Sequence, residues 1–309
     1  MKRVYHLCWS GGKEVLFRSR EDLIHGIVCM CIAAYENDMQ ILAYCFMSNH
    51  IHICVRGKNL QKFIKAFRYS YTRYFNNKYR RRGRLGERSF FQLEIQGINH
   101  LLTAIAYILR NPVHHCICRT PFEYEFSSAC AVFSKELGHK LPDKFIEGKL
   151  PYAQLPSRHR LPPHIKTDCT GMPVHRNIID ALDVEHQFST ARTYLYYMNR
   201  LSGEEWEKEQ QSSNTNGLPP IRISDIEVGV NENDIRRMLA NETGRNVRPG
   251  QINDIDLCEI IDRMISKEDP GETIYTTSQK SLIRIANAVM SKYHITSEQL
   301  SRCIGYNLT

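Results

Sequence analysis

The sequence has no run approaching 18 uninterrupted apolar residues, so no segment reads as a membrane-spanning helix. Its start, Met1-Lys2-Arg3-Val4-Tyr5-His6, lacks the apolar stretch of a secretory leader. The expected location is therefore the cytoplasm. No Cys-x-x-Cys pair occurs among the 11 cysteines, and their number is odd. Most lie in apolar runs, where a thiol behaves as a small hydrophobe, and a cytoplasmic chain is not expected to carry a disulfide framework. Cys29/Cys31 and Cys116/Cys118 lack the usual ligand spacing of a zinc site. No repeat of fixed period is evident. Negative charge is scarce in one part only. Residues 1–130 hold 19 Lys and Arg against 9 Asp and Glu, whereas residues 131–309 hold 22 against 24. The whole positive excess therefore sits in the first part, as it would in a partner of a polyanion, although a merely soluble basic surface has the same composition.

What is present suffices for a folded chain: 42% of the residues are hydrophobic. Alternation over residues 4–9, closed by Gly11-Gly12, predicts a strand. Residues 21–35 predict a mostly buried helix capped by Ser19. Two apolar runs, 40–47 and 50–56, are split by Ser48-Asn49 and predict a hairpin. A helix is expected over 59–79 with Asn59 as its cap, ending at Arg80-Arg81-Arg82-Gly83-Arg84. A strand follows over 89–96 and a helix over 98–110, with Pro112 as its stop. The order β-α-β-β-α-β-α predicts an α+β fold, an antiparallel sheet with helices packed on it. Six of the 12 prolines fall between 142 and 173, which marks a linker. Residues 178–210 read as helical, with Tyr194-Leu195-Tyr196-Tyr197 as core or contact surface. A loop is expected over 211–220 and further helices over 225–309.

Two clusters carry chemistry. In the hairpin, His50 and His52 are two apart on a strand, so they project from one face, with Ile51 and Ile53 on the other. Two imidazoles so placed can ligate one divalent cation, and equally can be two packed histidines. In the helix 98–110, Tyr107 and Asn111 are four apart and share a face. A tyrosine hydroxyl is a poor nucleophile at its free pKa of about 10 and attacks phosphorus only with help. Asn111 could supply a carbonyl oxygen to a metal, or merely end the helix with Pro112. Residues 65–74 interleave aromatics with cations, as a stacking-and-phosphate surface does, yet the spacing of Phe67, Tyr71 and Tyr74 also suits a buried stripe. The loop cations Arg80, Arg81, Arg82 and Arg84 have no core role and are expected to meet a nucleic-acid backbone.

The ordered series resembles a known family. Tyr5-His6-Leu7 with Gly11-Gly12, Ala43 through His52, Tyr71 through Asn76, Gly86 through Phe91, Ala106 through Val113 and Phe126-Ser127-Ser128 together resemble the single-tyrosine HUH endonucleases. Within that superfamily they resemble the REP-associated tyrosine transposases, relatives of small insertion-sequence transposases. The resemblance covers about residues 3–130 and departs at Ser48, where a proline is common. It implies a ferredoxin-like HUH fold and a DNA nicking and joining enzyme. Mg²⁺ or Mn²⁺ would be held by His50 and His52, with Asn111 as third ligand. Tyr107 would attack a phosphodiester, take the 5′ phosphate and free a 3′ hydroxyl, and the reverse reaction would join strands without ATP. The substrate would be single-stranded or hairpin DNA, contacted by Tyr5, His6, Arg68, Arg73, Arg80, Arg81, Arg82, Arg84 and Arg110. The Tyr-x-x-x-Asn-Pro form favours a monomer over a dimer.

The expected division is a transposase or nuclease domain over 1–130, a Pro-rich linker over 131–177 and a mainly helical region over 178–309. Residues 279–305 resemble a helix-turn-helix, its second helix opened by Thr296-Ser297-Glu298-Gln299, and fit an ordinary helical hairpin as well. That region has no basic excess. Two other functions suit the same sequence: a domesticated, non-catalytic binder of hairpin DNA or RNA, and a transcriptional regulator acting through the C-terminal helices. The first needs none of Tyr107, His50 and His52.

Overall fold

A computed structural model of the chain describes residues 2–139, 161–199, 246–247 and 251–305. The first part runs β1 (Arg3–Ser10), α1 (Arg20–Glu36), β2 (Gln40–Phe46), β3 (His50–Gly57), α2 (Leu60–Lys78), β4 (Phe91–Ile95) and α3 (Ile98–His114). The four strands form one antiparallel sheet in the order β2-β3-β1-β4. That is the ferredoxin-like arrangement, α+β as expected from the order of elements. The β1–β3 register sets Cys8 opposite His52 and His6 opposite Cys54. Period two then sorts the side chains. Leu7, Trp9, Tyr44, Phe46, Ile51 and Ile53 form the core under α1 and α2, where Trp9 and Phe46 meet Phe67 at ring separations of 6.0 and 6.2 Å. His6, Cys8, Cys45, His50, His52 and Cys54 take the opposite face, which α3 covers.

Local chemistry explains the helices and corrects some of their expected ends. Ser19 caps α1 through a full capping box with Asp22. Asn59 stands at the cap of α2 but gives no side-chain cap; its amide donates to the Asn37 carbonyl at 3.1 Å instead. Pro112 does not stop α3, which continues to His114. A proline removes one amide donor but keeps a helical φ, and so late in the helix the lost bond is the one to the preceding turn only. Phe67, Tyr71 and Tyr74 are all buried, so of the two readings of residues 65–74 the buried stripe holds for these three; Tyr69, at 68% exposure, is the aromatic that faces out.

Within the stretch read as a linker, Val132, Phe133, Ile165 and Met172 are buried in the main core. The helices α4 (His175–Ile178), α5 (Ala181–Phe188) and α6 (Ala191–Asn199) follow and add Ile178, Val184, Phe188, Tyr194 and Met198 to it. The outer edge of β2 is occupied along its length. The Asp180 amide donates to the Ile41 carbonyl at 2.9 Å, the Ser128 amide to the Tyr44 carbonyl at 3.0 Å, and the Phe46 amide to the Phe126 carbonyl at 2.9 Å. The loop expected over 211–220, and the helical readings of 200–210 and of most of 225–250, lie outside the described residues.

Three C-terminal helices, α7 (Asp254–Glu268), α8 (Gln279–Lys292) and α9 (Ser297–Ile304), close on a second core of Leu257, Cys258, Ile261, Leu282, Ile285, Val289, Leu300 and Cys303. The pair α8–α9 occupies the stretch read as a helix-turn-helix, with Thr296 capping α9. Val15, from the loop between β1 and α1, is part of this second core. Among the described residues no helix is long and apolar enough to cross a membrane.

Candidate active site under the third helix

The site lies where α3 crosses the histidine face of the sheet. Along α3, Thr103, Tyr107, Asn111 and His114 recur at spacings of four, four and three, and all are buried. One helix face therefore presents them together to β1 and β3. The His50 and His52 rings lie 5.1 Å apart, and His52 stands edge-on to the Tyr107 ring at 5.6 Å. Asn111 Oδ1 is 2.8 Å from His50 Nε2, which ties the tyrosine helix directly to the histidine strand. The other nitrogen of His50, Nδ1, is 2.9 Å from Asn49 Oδ1. Tyr107 is 2% exposed, and His52 and Asn111 are fully buried.

The family resemblance gave His6 a different place. Tyr5 and His6 were expected to touch DNA bases together, but neighbours on a strand face opposite ways. Tyr5 is half-buried against the main core. His6 is fully buried in the site: its Nε2 lies 3.0 Å from His52 Nδ1, the two rings stack at 5.1 Å, and Tyr107 stands 6.4 Å away. His114, with its ring 5.4 Å from Tyr107, and His115, 4.9 Å from His50, also belong to the cluster. The strand period of His6 and the seven-residue offset of His114 from Tyr107 were the available signs of both.

The donor chemistry suits a divalent cation. Imidazole nitrogen and amide oxygen form a mixed set that first-row and alkaline-earth cations accept. The 2.8 Å between His50 Nε2 and Asn111 Oδ1 is close to the roughly 3 Å edge spanned by two ligands of an octahedral cation with bonds of about 2.1 Å. His6 and Asn49 each engage the second nitrogen of a ring in the pair, as outer partners of metal-bound histidines do. Among the described residues no group of three or more His, Cys, Asp and Glu side chains forms a metal cage. The set under α3 is of another kind, two histidines and an amide. Cys29 is no alternative: burial pushes its thiol up to about 12, away from the ligating thiolate.

Residues 2–111 match the family described as Transposase IS200 like. This part of the chain is therefore similar to IS200-like transposases. The match runs from β1 to Asn111 and so includes the histidine strand and the tyrosine. Among solved structures the chain is similar to a REP-associated tyrosine transposase bound to a REP hairpin, at 14% identity and a TM-score of 0.31, over 44% of this chain and 80% of that one. No curated protein matches the sequence.

The remaining residues expected to meet DNA divide into two sets. Arg73, Arg80, Arg82 and Arg84 are exposed. On the outer side of α2, Arg73 shares a line with Lys62, Lys65 and Tyr69, at spacings of three and four. Arg68 and Arg81 are half-buried and tied to the fold, and Arg110 is buried. Arg68 lies over the Trp9 and Phe90 rings and donates to the Glu87 and Arg88 carbonyls at 2.6 Å each. Burial, with Arg84 nearby, lowers its pKa from the ordinary arginine value. Arg81 pairs with Glu14 at 3.2 Å and donates to the Arg84 carbonyl. Arg110 is 4% exposed on α3.

Proposed function

We propose that the transposase domain nicks and rejoins single-stranded DNA through Tyr107. The observation that carries this is the contact of Asn111 with His50, which fixes Tyr107, one helical turn earlier, against His52. The Tyr107 oxygen attacks the scissile phosphorus and the bond to the 3′ oxygen breaks. The phenol proton is lost, the 3′ oxygen leaves as a hydroxyl after taking a proton, and the 5′ phosphate stays on the tyrosine. Attack by a 3′ hydroxyl reverses the exchange, and the phosphotyrosine conserves the bond energy. Mg²⁺ or Mn²⁺, held by His50, His52 and Asn111, supplies Lewis-acid polarisation of the phosphate when bound. His6 and Asn49 orient the two rings. Because Tyr107 is 2% exposed, DNA reaches it only when α3 shifts on the sheet.

The substrate is single-stranded or hairpin DNA, its backbone met by the exposed cations Arg73, Arg80, Arg82 and Arg84, and the enzyme acts in the cytoplasm as a monomer. The burial of Tyr107 supports a second reading, a non-catalytic binder of hairpin nucleic acid. One experiment separates them. The full chain is incubated with Mn²⁺ and labelled hairpins from the flanks of its own gene, then resolved on a denaturing gel. A protein-linked product that disappears in Tyr107→Phe, with hairpin affinity kept within about twofold, is expected. No adduct with any hairpin would overturn the enzymatic reading, and an adduct in Tyr107→Phe would overturn the choice of nucleophile.

A further inference from the structure

The C-terminal bundle is joined to the turn that carries His50. Ser48 Oγ donates to Asp254 Oδ2 at 2.8 Å, and Asp254, in the first turn of α7, is also held by Arg302 of α9 at 3.1 and 3.2 Å. Asp254 is 8% exposed. The backbone of Ser48 is fixed from the other side, its carbonyl accepting from the Leu16 and Phe17 amides at 2.8 and 2.9 Å. The bundle also grips that second support. Val15 is in the C-terminal core, and Arg18, 1% exposed, donates to both Asp262 oxygens at 3.1 and 2.7 Å and to the Cys303 carbonyl at 2.5 Å. The Arg20 amide adds a bond to Glu259 at 3.2 Å. Both anchors of Ser48 thus depend on residues 254–304.

From Ser48 the path into the site is two residues long. The Asn49 carbonyl accepts from the Gly11 amide at 2.7 Å, and the Asn49 side chain meets His50 Nδ1. We propose that Ser48 and Asp254 are positioning residues for His50, so that the C-terminal bundle sets the geometry of the site under α3. The inference rests on the proposed metal-assisted reaction and makes the bundle a working part of it. A helical hairpin that only bound DNA would leave the His50 turn unaffected when its contact was cut.

The test uses the full chain with Ser48→Ala, Ser48→Thr, Asp254→Ala and the double variant Ser48→Ala/Asp254→Ala. Mn²⁺ binding is read by electron paramagnetic resonance without DNA, and adduct formation, hairpin affinity and melting temperature are read in parallel. Ser48→Ala is expected to weaken Mn²⁺ binding and slow adduct formation by about fivefold, the net scale of one ordinary hydrogen bond. Hairpin affinity stays as in the wild type and Ser48→Thr restores the loss. The double variant is expected to lose no more Mn²⁺ affinity than Asp254→Ala alone, because the two changes remove one contact. Wild-type Mn²⁺ affinity in Ser48→Ala, or additive losses in the double variant, overturns the inference. If the wild type binds Mn²⁺ but forms no adduct, the enzymatic reading fails, while the Mn²⁺ series still decides the positioning role. If the wild type binds no Mn²⁺, there is no metal site to position and the inference fails as well.

Discussion

His6 lies with Nε2 3.0 Å from His52 Nδ1 and is closed to solvent. A histidine there acts on the neighbouring ring. Outer partners of metal-bound histidines typically contribute about 10–100-fold in metal affinity or activity. His6→Ala is therefore expected to reduce Mn²⁺-dependent adduct formation on that scale with hairpin affinity unchanged. The reverse split, weakened hairpin binding with normal chemistry at saturating DNA, would return His6 to base contact. Some of this was legible in the residues. The two-residue offset of His50 and His52 and the four-residue offset of Tyr107 and Asn111 follow from element geometry alone. The His6–His52 contact was not, because it depends on the register of β1 against β3, which pairs residues forty or more positions apart.

Two elements, α2 and α3, sort the polar residues of the domain. On α2 the buried line Phe67, Tyr71 and Tyr74 turns Lys62, Lys65, Tyr69 and Arg73 outward. Cations spaced along a helix in this way bind a nucleic-acid backbone by releasing its counterions. The triple variant Lys62→Ala/Lys65→Ala/Arg73→Ala is expected to weaken hairpin binding and flatten its logarithmic salt dependence by about two to three units, the roughly 0.7–0.9 per lost phosphate contact. An unchanged slope would remove α2 from the DNA path. Arg68, one residue from Tyr69, is fastened to the 87–88 carbonyls and belongs to the fold instead. The position and type of each main element of the sheet domain could be read from periodicity and caps. The passage of α3 through Pro112 could not, because packing on the sheet outweighs one missing amide donor. Nor could the roles of Arg68 and Arg81, whose partners come from distant loops.

For the molecule as a whole, two buried histidines link stability to pH. His25 stacks on Tyr74 at 3.6 Å, and His175 is hydrogen-bonded to the Tyr44 hydroxyl. Burial pushes each down to about 4. In the unfolded chain they titrate near about 6.5. Their contribution is complete above that value and is lost as pH falls towards about 4, since only the unfolded state takes up the protons. Each group contributes up to about 1.4 kcal/mol per pH unit in that window. Urea denaturation of His25→Phe should show a fall in stability between pH 7 and pH 5 that is about 2 kcal/mol smaller than in the wild type. Identical pH dependence would mean that His25 takes its proton in the folded state. At this scale the sequence was least informative. The halves are joined by Arg18, Val15 and Ser48, each unremarkable where it stands in the chain, and by partners more than 200 positions away.

The covered edge of β2 has a consequence for assembly. An unpaired edge is a template on which another chain can add a strand. Here Phe126, Ser128 and Asp180 already take the main-chain groups that β2 would offer. The opposite edge, β4, is five residues long and carries Gln92 and Glu94. Two copies of this chain cannot merge their sheets through β2 without first peeling residues 126–128 and 180 away. Cutting the chain before residue 126 would therefore expose a hydrophobic strand whose most available partner is another copy of itself.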